Sequence, residues 1–212
     1  GIAWKIKYNA EDTVVIAYMG DAAVNQGAFH ESLNLAAIWE LPVIYVVENN
    51  EYGMGTAFSR VSKTDMAAKP IPHGVPASVV NGQDVLATYA HFRDLIADVR
   101  SGGGPRFVDL QTYRFRGHSM SDAVSGTYRP TEEVERRKEK DDPIAVLRDN
   151  LFTGGHLDQA GLEQMDTEAR QIAQDATDFA EASPVPAPSS LYEHTWAEIN
   201  ENGRLFFDGG HG

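Results

Sequence analysis

Residues 13–47, TVVIAYMGDAAVNQGAFHESLNLAAIWELPVIYVV, decide the fold class. They open with a short apolar and β-branched run at residues 13–19, which predicts a strand buried on both faces. A helical pattern follows at residues 25–40, and a second buried run occupies residues 43–47. A strand, a helix and a strand in this order form a β-α-β unit, whose two strands are parallel.

The alternation of strand and helix continues along the chain. A further helix is predicted from residue 83 until glycines 102–104 end it, and residues 106–112, RFVDLQT, follow as a third strand. This pattern predicts an α/β fold with a doubly wound, mostly parallel sheet.

The character of the chain changes after the third strand. Residues 113–130 form a long polar loop, and helical patterns follow near residues 131–140, 143–152 and 158–182. The Pro-rich residues 183–190, SPVPAPSS, predict an extended linker. We therefore predict an α/β domain at residues 1–130 and a helical C-terminal extension at residues 131–212.

Composition excludes several classes of partner and site. The 212 residues carry a net charge of −13, which argues against a nucleic-acid partner, because proteins that bind phosphate backbones concentrate Lys and Arg. Cysteine is absent, so disulfides and thiolate metal sites are impossible. No apolar run approaches the roughly 18 residues needed to cross a membrane. These features predict a soluble globular protein that binds neither nucleic acid nor membrane.

The first residues, GIAWKIKYN, have the pattern of a helix already under way. We expect the chain to be a fragment whose natural N-terminal part is missing, so a targeting signal is not readable from it. We expect a cytoplasmic location for a bacterial source and the mitochondrial matrix or a plastid for a eukaryotic one, and the cytoplasmic location is favoured.

Polar side chains follow the first two strands. Asp21 comes after the first strand and Asn50 after the second, and ligands of open parallel sheets bind outside the carboxyl ends of the strands. The loop before a helix attracts anions, yet this one begins with a carboxylate. Oxygen ligands suit Mg²⁺ or Ca²⁺, and Mg²⁺ is usually shared between a few protein oxygens and substrate phosphates. The carboxylate is therefore interpreted as a ligand of the cation that meets the phosphate.

Each of these residues also has a simpler interpretation. Asp21 alone could cap a helix N-terminus, and Asn49 with Asn50 could form an ordinary turn. Arg114 and His118 could be solvated loop residues. The combination of Asp21 with Asn50 favours the metal site.

Two longer motifs carry a resemblance to a known family. The segments GDAAVNQGAFHESLNLAAIWELPVIYVVENNEYGMGT and LQTYRFRGHSMSD, taken together, resemble the alpha subunit of the thiamine diphosphate-dependent 2-oxo acid dehydrogenase decarboxylating component, most nearly the pyruvate type. The resemblance implies the thiamine diphosphate-binding fold, with thiamine diphosphate and Mg²⁺ as cofactors. It also implies oxidative decarboxylation of a 2-oxo acid, with acyl transfer to a lipoyl carrier.

The resemblance assigns roles to individual residues. It implies that Mg²⁺ is bound by Asp21, Asn50 and the backbone carbonyl of Tyr52. It implies a cofactor site and a catalytic histidine in the polar loop, with Asp21, Ala22, Ala23, Asn50 and Arg114 binding the cofactor and His118 acting in catalysis. Ser119 matches a regulatory phosphorylation site of the mitochondrial members.

The resemblance also implies partners. The active form would be a heterotetramer of two alpha and two beta subunits, with the activating glutamate supplied by the beta subunit. The lipoyl domain of the dihydrolipoyl acyltransferase would accept the acyl group.

Two alternatives stay open at this point: the substrate pocket is not fixed by GHSMSD, and Ala22 stands where the family has Gly, which bears on the second alternative. One is a branched-chain 2-oxo acid or acetoin dehydrogenase alpha subunit. The other is a non-catalytic subunit that binds Mg-diphosphate or serves as a scaffold.

Overall fold

The computed structural model describes residues 1–120 and 128–192. Within these ranges the strands, in chain order, are β1 (Val15–Gly20), β2 (Val43–Asn49), β3 (Tyr52–Gly53), β4 (Thr56–Ala57), β5 (Ala77–Asn81) and β6 (Arg106–Gln111). The α-helices are α1 (Ile2–Tyr8), α2 (Gly27–Ile38), α3 (Phe58–Val61), α4 (Val85–Asp98), α5 (Thr131–Asp141), α6 (Pro143–Thr153) and α7 (Gln159–Ala182).

Four strands form one parallel sheet in the order β1-β2-β6-β5, and β3 and β4 form a small antiparallel pair. The sheet confirms the α/β fold with parallel strands that the sequence predicted. β5 was not predicted, because its apolar stretch is short and lies between segments rich in Pro and Gly. It pairs with β6 at one edge of the sheet.

Both faces of the sheet carry a hydrophobic core. Successive side chains of a strand point to opposite faces. In β2, Val43, Tyr45 and Val47 therefore pack on one side with Phe29 and Leu33 of α2. Ile44 and Val46 pack on the other side with residues from α4 and its C-terminal turn, namely Phe92, Leu95, Ile96 and Val99. This two-sided burial is the doubly wound arrangement expected from the sequence.

The register of the strands aligns their carboxyl ends. Gly20 at the end of β1 pairs with Glu48 of β2, and Asn49 pairs with Gln111 of β6. The segments that follow β1, β2 and β6 therefore leave the sheet at the same edge, as the sequence analysis assumed.

Contacts between residues divide the chain into a unit of residues 1–157 and a unit of residues 158–212. The first unit includes α5 and α6, which the sequence analysis had placed in the C-terminal extension beginning at residue 131. Side chains explain the difference, since Arg137 of α5 pairs with Glu51 at 2.7 Å and Gln83 donates to the carbonyl of Asp141.

The described part of the second unit contains α7 and the residues that follow it. Asp158 accepts a hydrogen bond from the Gly161 N–H and so caps the start of α7. The Pro-rich segment has no regular structure at residues 184–187, but a 3-10 helix, Pro188–Tyr192, begins inside the predicted extended linker. Among the described residues, no helix combines the length and apolar character needed to span a membrane.

Candidate functional site

Asp21 is a buried carboxylate at the carboxyl end of β1. It is 2 % exposed and begins a 3-10 helix, Asp21–Asn25. Its Oδ1 accepts a hydrogen bond from the Ala22 N–H at 2.9 Å, while its buried Oδ2 has no partner among the described residues. Burial raises the pKa of Asp21, opposed by the Ala22 N–H and by the positive charge of Arg114. A buried carboxylate oxygen without a donor is suited to a cation.

Ala22 lies on the exposed side of this turn and faces Gly53 of β3. Its φ is not in the left-handed region, so its methyl group causes no backbone strain. A Cβ placed on Gly53 would lie 2.6 Å from the Ala22 Cβ, which shows how closely the two backbones approach. The turn after β1 and the loop after β2 are therefore in direct contact.

The loop after β2 is shaped by its asparagines. Asn49 Oδ1 accepts from the Glu51 N–H and Asn50 Oδ1 accepts from the Tyr52 N–H, both at 3.2 Å. Glu51 and Met54 adopt positive φ values of 71° and 53°, a conformation that costs most non-glycine residues about 1–2 kcal/mol. Such strain is typical of functional loops. The turn expected from the Asn pair is present and brings the Tyr52 carbonyl towards Arg114.

Arg114, which follows β6, connects several parts of the site. Its guanidinium donates to the carbonyls of Tyr52 at 3.4 Å and Met54 at 2.7 Å, and to the Tyr128 hydroxyl at 2.8 Å. Its Nη1 also lies 3.4 Å from Nδ1 of His118. Arg114 is thus an anchored side chain rather than the solvated loop charge considered in the simpler interpretation.

His118 and Ser119 are exposed at the start of the polar loop. Residues 121–127 of that loop lie outside the described residues, and they include part of the motif GHSMSD.

Three further residues at this edge of the sheet were not singled out from the sequence. Asp109 of β6 is 3 % exposed and accepts a hydrogen bond from Nδ2 of Asn49 at 2.9 Å. Glu133 of α5 accepts from the Tyr113 hydroxyl at 2.7 Å, and Arg129 is 6 % exposed among aromatic rings. Asp109 had a sequence signal, a carboxylate inside an apolar strand, whereas Arg129 and Glu133 had none.

The pKa of Tyr113 reflects the burial of its side chain at the start of the polar loop. Burial, reinforced by its hydrogen bond to Glu133, raises the pKa of Tyr113 to about 12, although Arg129 acts in the opposite direction.

The oxygen atoms at the site fit a magnesium ion shared with phosphates. Asp21 offers its Oδ2, which no donor contacts in the described part of the chain, and Asn50 and the Tyr52 carbonyl offer neutral oxygens. The described residues contain no cluster of three or more His, Cys, Asp or Glu able to hold a metal. A single carboxylate leaves the remaining coordination positions to a ligand, which matches the usual binding of Mg²⁺.

Comparison with known proteins identifies the family of the chain. Residues 1–189 match the family described as dehydrogenase E1 component. The chain belongs to this family.

Relatives of this E1 component chain are found in bacteria and in mitochondria. It is 44 % identical over 193 residues to the pyruvate dehydrogenase E1 component subunit alpha of Rhizobium meliloti, covering 91 % of this chain and 55 % of that protein. The corresponding subunit of Zymomonas mobilis is 42 % identical over 91 % of this chain and 54 % of its own length. The human somatic mitochondrial form is 40 % identical over 93 % of this chain and 50 % of its own length. The chain spans about half the length of these curated relatives.

Proposed function

We propose that this E1 component chain is the alpha subunit of a thiamine diphosphate-dependent 2-oxo acid dehydrogenase that acts on pyruvate. The observation that carries the proposal is the buried Asp21 carboxylate, whose Oδ2 has no partner among the described residues at the carboxyl edge of the sheet. Family membership and the names of the relatives support the cofactor and the substrate.

Magnesium would be held by Asp21, Asn50 and the Tyr52 carbonyl. Asp21 supplies the negative charge, and the Asn50 amide and the Tyr52 carbonyl supply neutral oxygens. The hydrogen bond from the Tyr52 N–H to Asn50 Oδ1 already fixes the loop that carries both. Arg114, which donates to that carbonyl, brings a positive charge to the same loop and would attract the diphosphate.

Ala22 and Ala23 would line the diphosphate side of the site. Ala22 is exposed and Ala23 half-buried, so neither side chain blocks the approach of a ligand to the turn. The negative φ of Ala22 means that the exchange of the family glycine for alanine leaves this backbone unstrained.

The remaining chemistry would divide between cofactor and protein. When bound, thiamine diphosphate supplies the electron sink that stabilises a carbanion. His118 is exposed, and its Nδ1 lies 3.4 Å from Nη1 of Arg114. In this proposal it positions the substrate and the lipoyl acceptor.

We further propose that the chain acts with a beta subunit in an alpha2beta2 assembly and delivers the acyl group to the lipoyl domain of an acyltransferase. Two carboxylates near the site are already engaged, Glu51 by Arg137 and Glu133 by Tyr113. Asp21 is assigned to the metal. The family resemblance implies that the carboxylate for acid–base chemistry on the cofactor comes from the beta subunit.

Calorimetric titration of thiamine diphosphate tests this function. The full-length gene product, assembled with its candidate beta subunit, should bind the cofactor with Mg²⁺ and only weakly without it. Asp21→Ala and Asn50→Ala should each abolish Mg²⁺-dependent binding, whereas Asp94→Ala, which removes an exposed carboxylate on α4, should not change it. Equal affinity in all four proteins would contradict the assignment, and no binding by any of them would favour a scaffold subunit.

Kinetics with a lipoyl acceptor test the role of the loop. His118→Ala should lower the rate of acyl transfer at least about tenfold, while cofactor affinity stays within about twofold. The expected loss of rate lies below the effects typical of general acid–base residues. Ser119→Asp should inhibit by placing negative charge near the diphosphate or the substrate carboxylate. Parental rates in both variants would remove the loop from the site, and a preference for branched-chain 2-oxo acids or acetoin over pyruvate would change the substrate assignment.

A further inference from the structure

Arg129 is a buried cation surrounded by tyrosines. Its guanidinium carbon lies 5.1 Å from the ring centroid of Tyr113, 5.5 Å from that of Tyr128 and 5.6 Å from that of Tyr52. All three distances are within the range of cation–π attraction. The three rings come from β3 and from the two ends of the polar loop. Arg129 therefore joins segments that are distant in sequence.

The hydrogen bonds of Arg129 connect it to Arg114. Nη2 of Arg129 donates to the Arg116 carbonyl at 2.9 Å, and Nε of Arg114 donates to the same oxygen at 3.2 Å. The Arg116 carbonyl is thus shared by two guanidinium groups. This carbonyl is one anchor of Arg114. Another is the Tyr128 hydroxyl, which accepts from Nη2 of Arg114 at 2.8 Å and whose ring packs on Arg129, so a displaced Arg129 would loosen two of the contacts that hold Arg114.

Within residues 1–120 and 128–192, the acidic group nearest to the surroundings of Arg129 acts on its tyrosine neighbours rather than on Arg129 itself. Among the described residues no carboxylate lies within ion-pair distance of it, and its buried Nη1 has no hydrogen-bond partner. Glu133 accepts hydrogen bonds from the hydroxyls of Tyr113 and Tyr52, at 2.7 and 3.4 Å, and so fixes two of the rings against the guanidinium. A buried cation without a direct counter-ion is a poor device for stability.

We propose that Arg129 is a positioning residue that sets the location of Arg114 through the shared Arg116 carbonyl. A planar guanidinium is needed, because it must stack on the tyrosine rings and donate in the plane of its fork at the same time. A lysine at this position keeps the charge but not this geometry. The inference rests on the proposed function only for the role of Arg114 towards the diphosphate.

Limited proteolysis tests the contact itself, independently of activity. Trypsin cleaves after arginine, and the bonds after Arg114 and Arg116 lie in the segment that Arg129 holds, whereas Pro130 protects the bond after residue 129. In the full-length gene product, Arg129→Lys should raise the rate of cleavage after Arg116 at least about fivefold, since cleavage follows local opening. Arg136→Lys, an exposed substitution on α5, is the matched control and should leave the rate unchanged.

Cofactor kinetics of the assembled enzyme separate positioning from a purely structural role. If Arg114 is displaced, Arg129→Lys should raise the half-saturating thiamine diphosphate concentration about tenfold, while kcat at saturating cofactor stays within about twofold. A purely structural residue would instead lower the active fraction and leave the half-saturating concentration unchanged. Arg129→Gln should show at least the same shift, and Arg136→Lys should show none.

The outcomes are distinguishable. Unchanged cleavage after Arg116 in Arg129→Lys overturns the contact, and faster cleavage with an unchanged half-saturating concentration overturns the positioning role. If the parental enzyme does not bind thiamine diphosphate, the proposed function fails, whereas the proteolysis result still decides whether Arg129 holds the Arg116 carbonyl.

Discussion

Asp21 lies at a buried position, where loss of hydration opposes the negative charge of its carboxylate. Its raised pKa has burial as the largest cause, and one of its two oxygens has no donor among the described residues. A group selected for stability alone would be an apolar residue or a fully hydrogen-bonded one. The carboxylate therefore costs stability in the absence of a cation and becomes favourable when one is bound.

Asp21→Asn should consequently stabilise the metal-free protein. At pH 7 we expect the free energy of unfolding to rise by about 1 kcal/mol, because a neutral amide replaces a carboxylate whose charge is disfavoured by burial. Since the folded-state pKa is raised, the contribution of Asp21 to stability is greatest below the usual carboxyl range and falls as pH rises through the raised pKa. Urea unfolding of both proteins between pH 4 and 7 measures this difference. This range begins near the usual Asp pKa and extends about three units above it.

The same pair of proteins provides the control. Mg²⁺ with thiamine diphosphate should raise the unfolding midpoint of the parental protein and not that of Asp21→Asn, because only the folded parental protein binds them. A variant less stable than its parent at pH 7 would show that the carboxylate is satisfied in solution.

Ala22 and Gly53 lie so close together that only one of the two positions has room for a methyl group. Because a Cβ on Gly53 would lie 2.6 Å from the Ala22 Cβ, the methyl group at one position requires a hydrogen atom at the other. Gly53→Ala should destabilise the protein by about 1–3 kcal/mol through overpacking. Ala22→Gly combined with Gly53→Ala should recover most of that loss, which thermal unfolding of the four proteins of the double-mutant cycle measures.

The Ala22→Gly single variant bears on the departure from the family motif. Since Ala22 has an unstrained backbone, we expect cofactor affinity to tighten by no more than about tenfold in this variant.

Strict additivity of the unfolding free energies in the Ala22 and Gly53 double-mutant cycle would mean that the two residues do not touch in solution.

A side-chain hydrogen bond between β2 and β6 supports the loop that follows β2. β2 and β6 are neighbours, and Asp109 of β6 accepts a hydrogen bond from Asn49 at the end of β2. Asn49 in turn accepts from the Glu51 N–H and so fixes the turn that contains Asn50. The position of Asn50, a ligand in the proposed magnesium site, thus depends on a carboxylate inside the sheet.

Asp109→Ala should therefore weaken Mg²⁺-dependent cofactor binding about five- to tenfold and lower the free energy of unfolding by about 1–3 kcal/mol, because the Asn49 amide loses its buried acceptor. Asp109→Asn retains an acceptor oxygen and should bind the cofactor within about twofold of the parent. Calorimetry and urea unfolding measure the two quantities. Equal affinity in Asp109→Ala and the parent would separate the strand from the metal loop.

The sequence predicted some elements well and others poorly, for physical reasons. β1 and most of β2 are continuous apolar runs, which buried parallel strands require, and Asp21 and Asn50 directly follow them. β6 is less uniform, with Asp109 among its apolar residues, and Arg114 lies three residues beyond its end. β5 is short and flanked by turn residues, so its pattern is weak. Arg129 and Glu133 act through side-chain contacts across the loop, and such contacts leave no periodicity in the sequence.

At the level of the whole chain, the proposed assembly sets a limit on activity. The isolated 212-residue chain should show no pyruvate decarboxylation with Mg²⁺ and thiamine diphosphate, because the activating carboxylate is expected from the beta subunit. Addition of the candidate beta subunit to the full-length gene product should restore turnover in a decarboxylation assay. Robust decarboxylation by the isolated chain would contradict the division of the site between subunits.

The central position of β2 has a kinetic consequence. β2 lies between β1 and β6, and residues 43–47 are buried on both faces, so their amide hydrogens exchange with solvent only when the sheet opens. Glu48 is exposed and Asn50 only half-buried, so protection against exchange is expected to drop within a few residues of the end of the strand. The ligands proposed for the cation thus lie where slowly exchanging residues of the sheet give way to residues that exchange more readily. The loop after β2 can therefore adjust to an ion while β2 itself stays fixed.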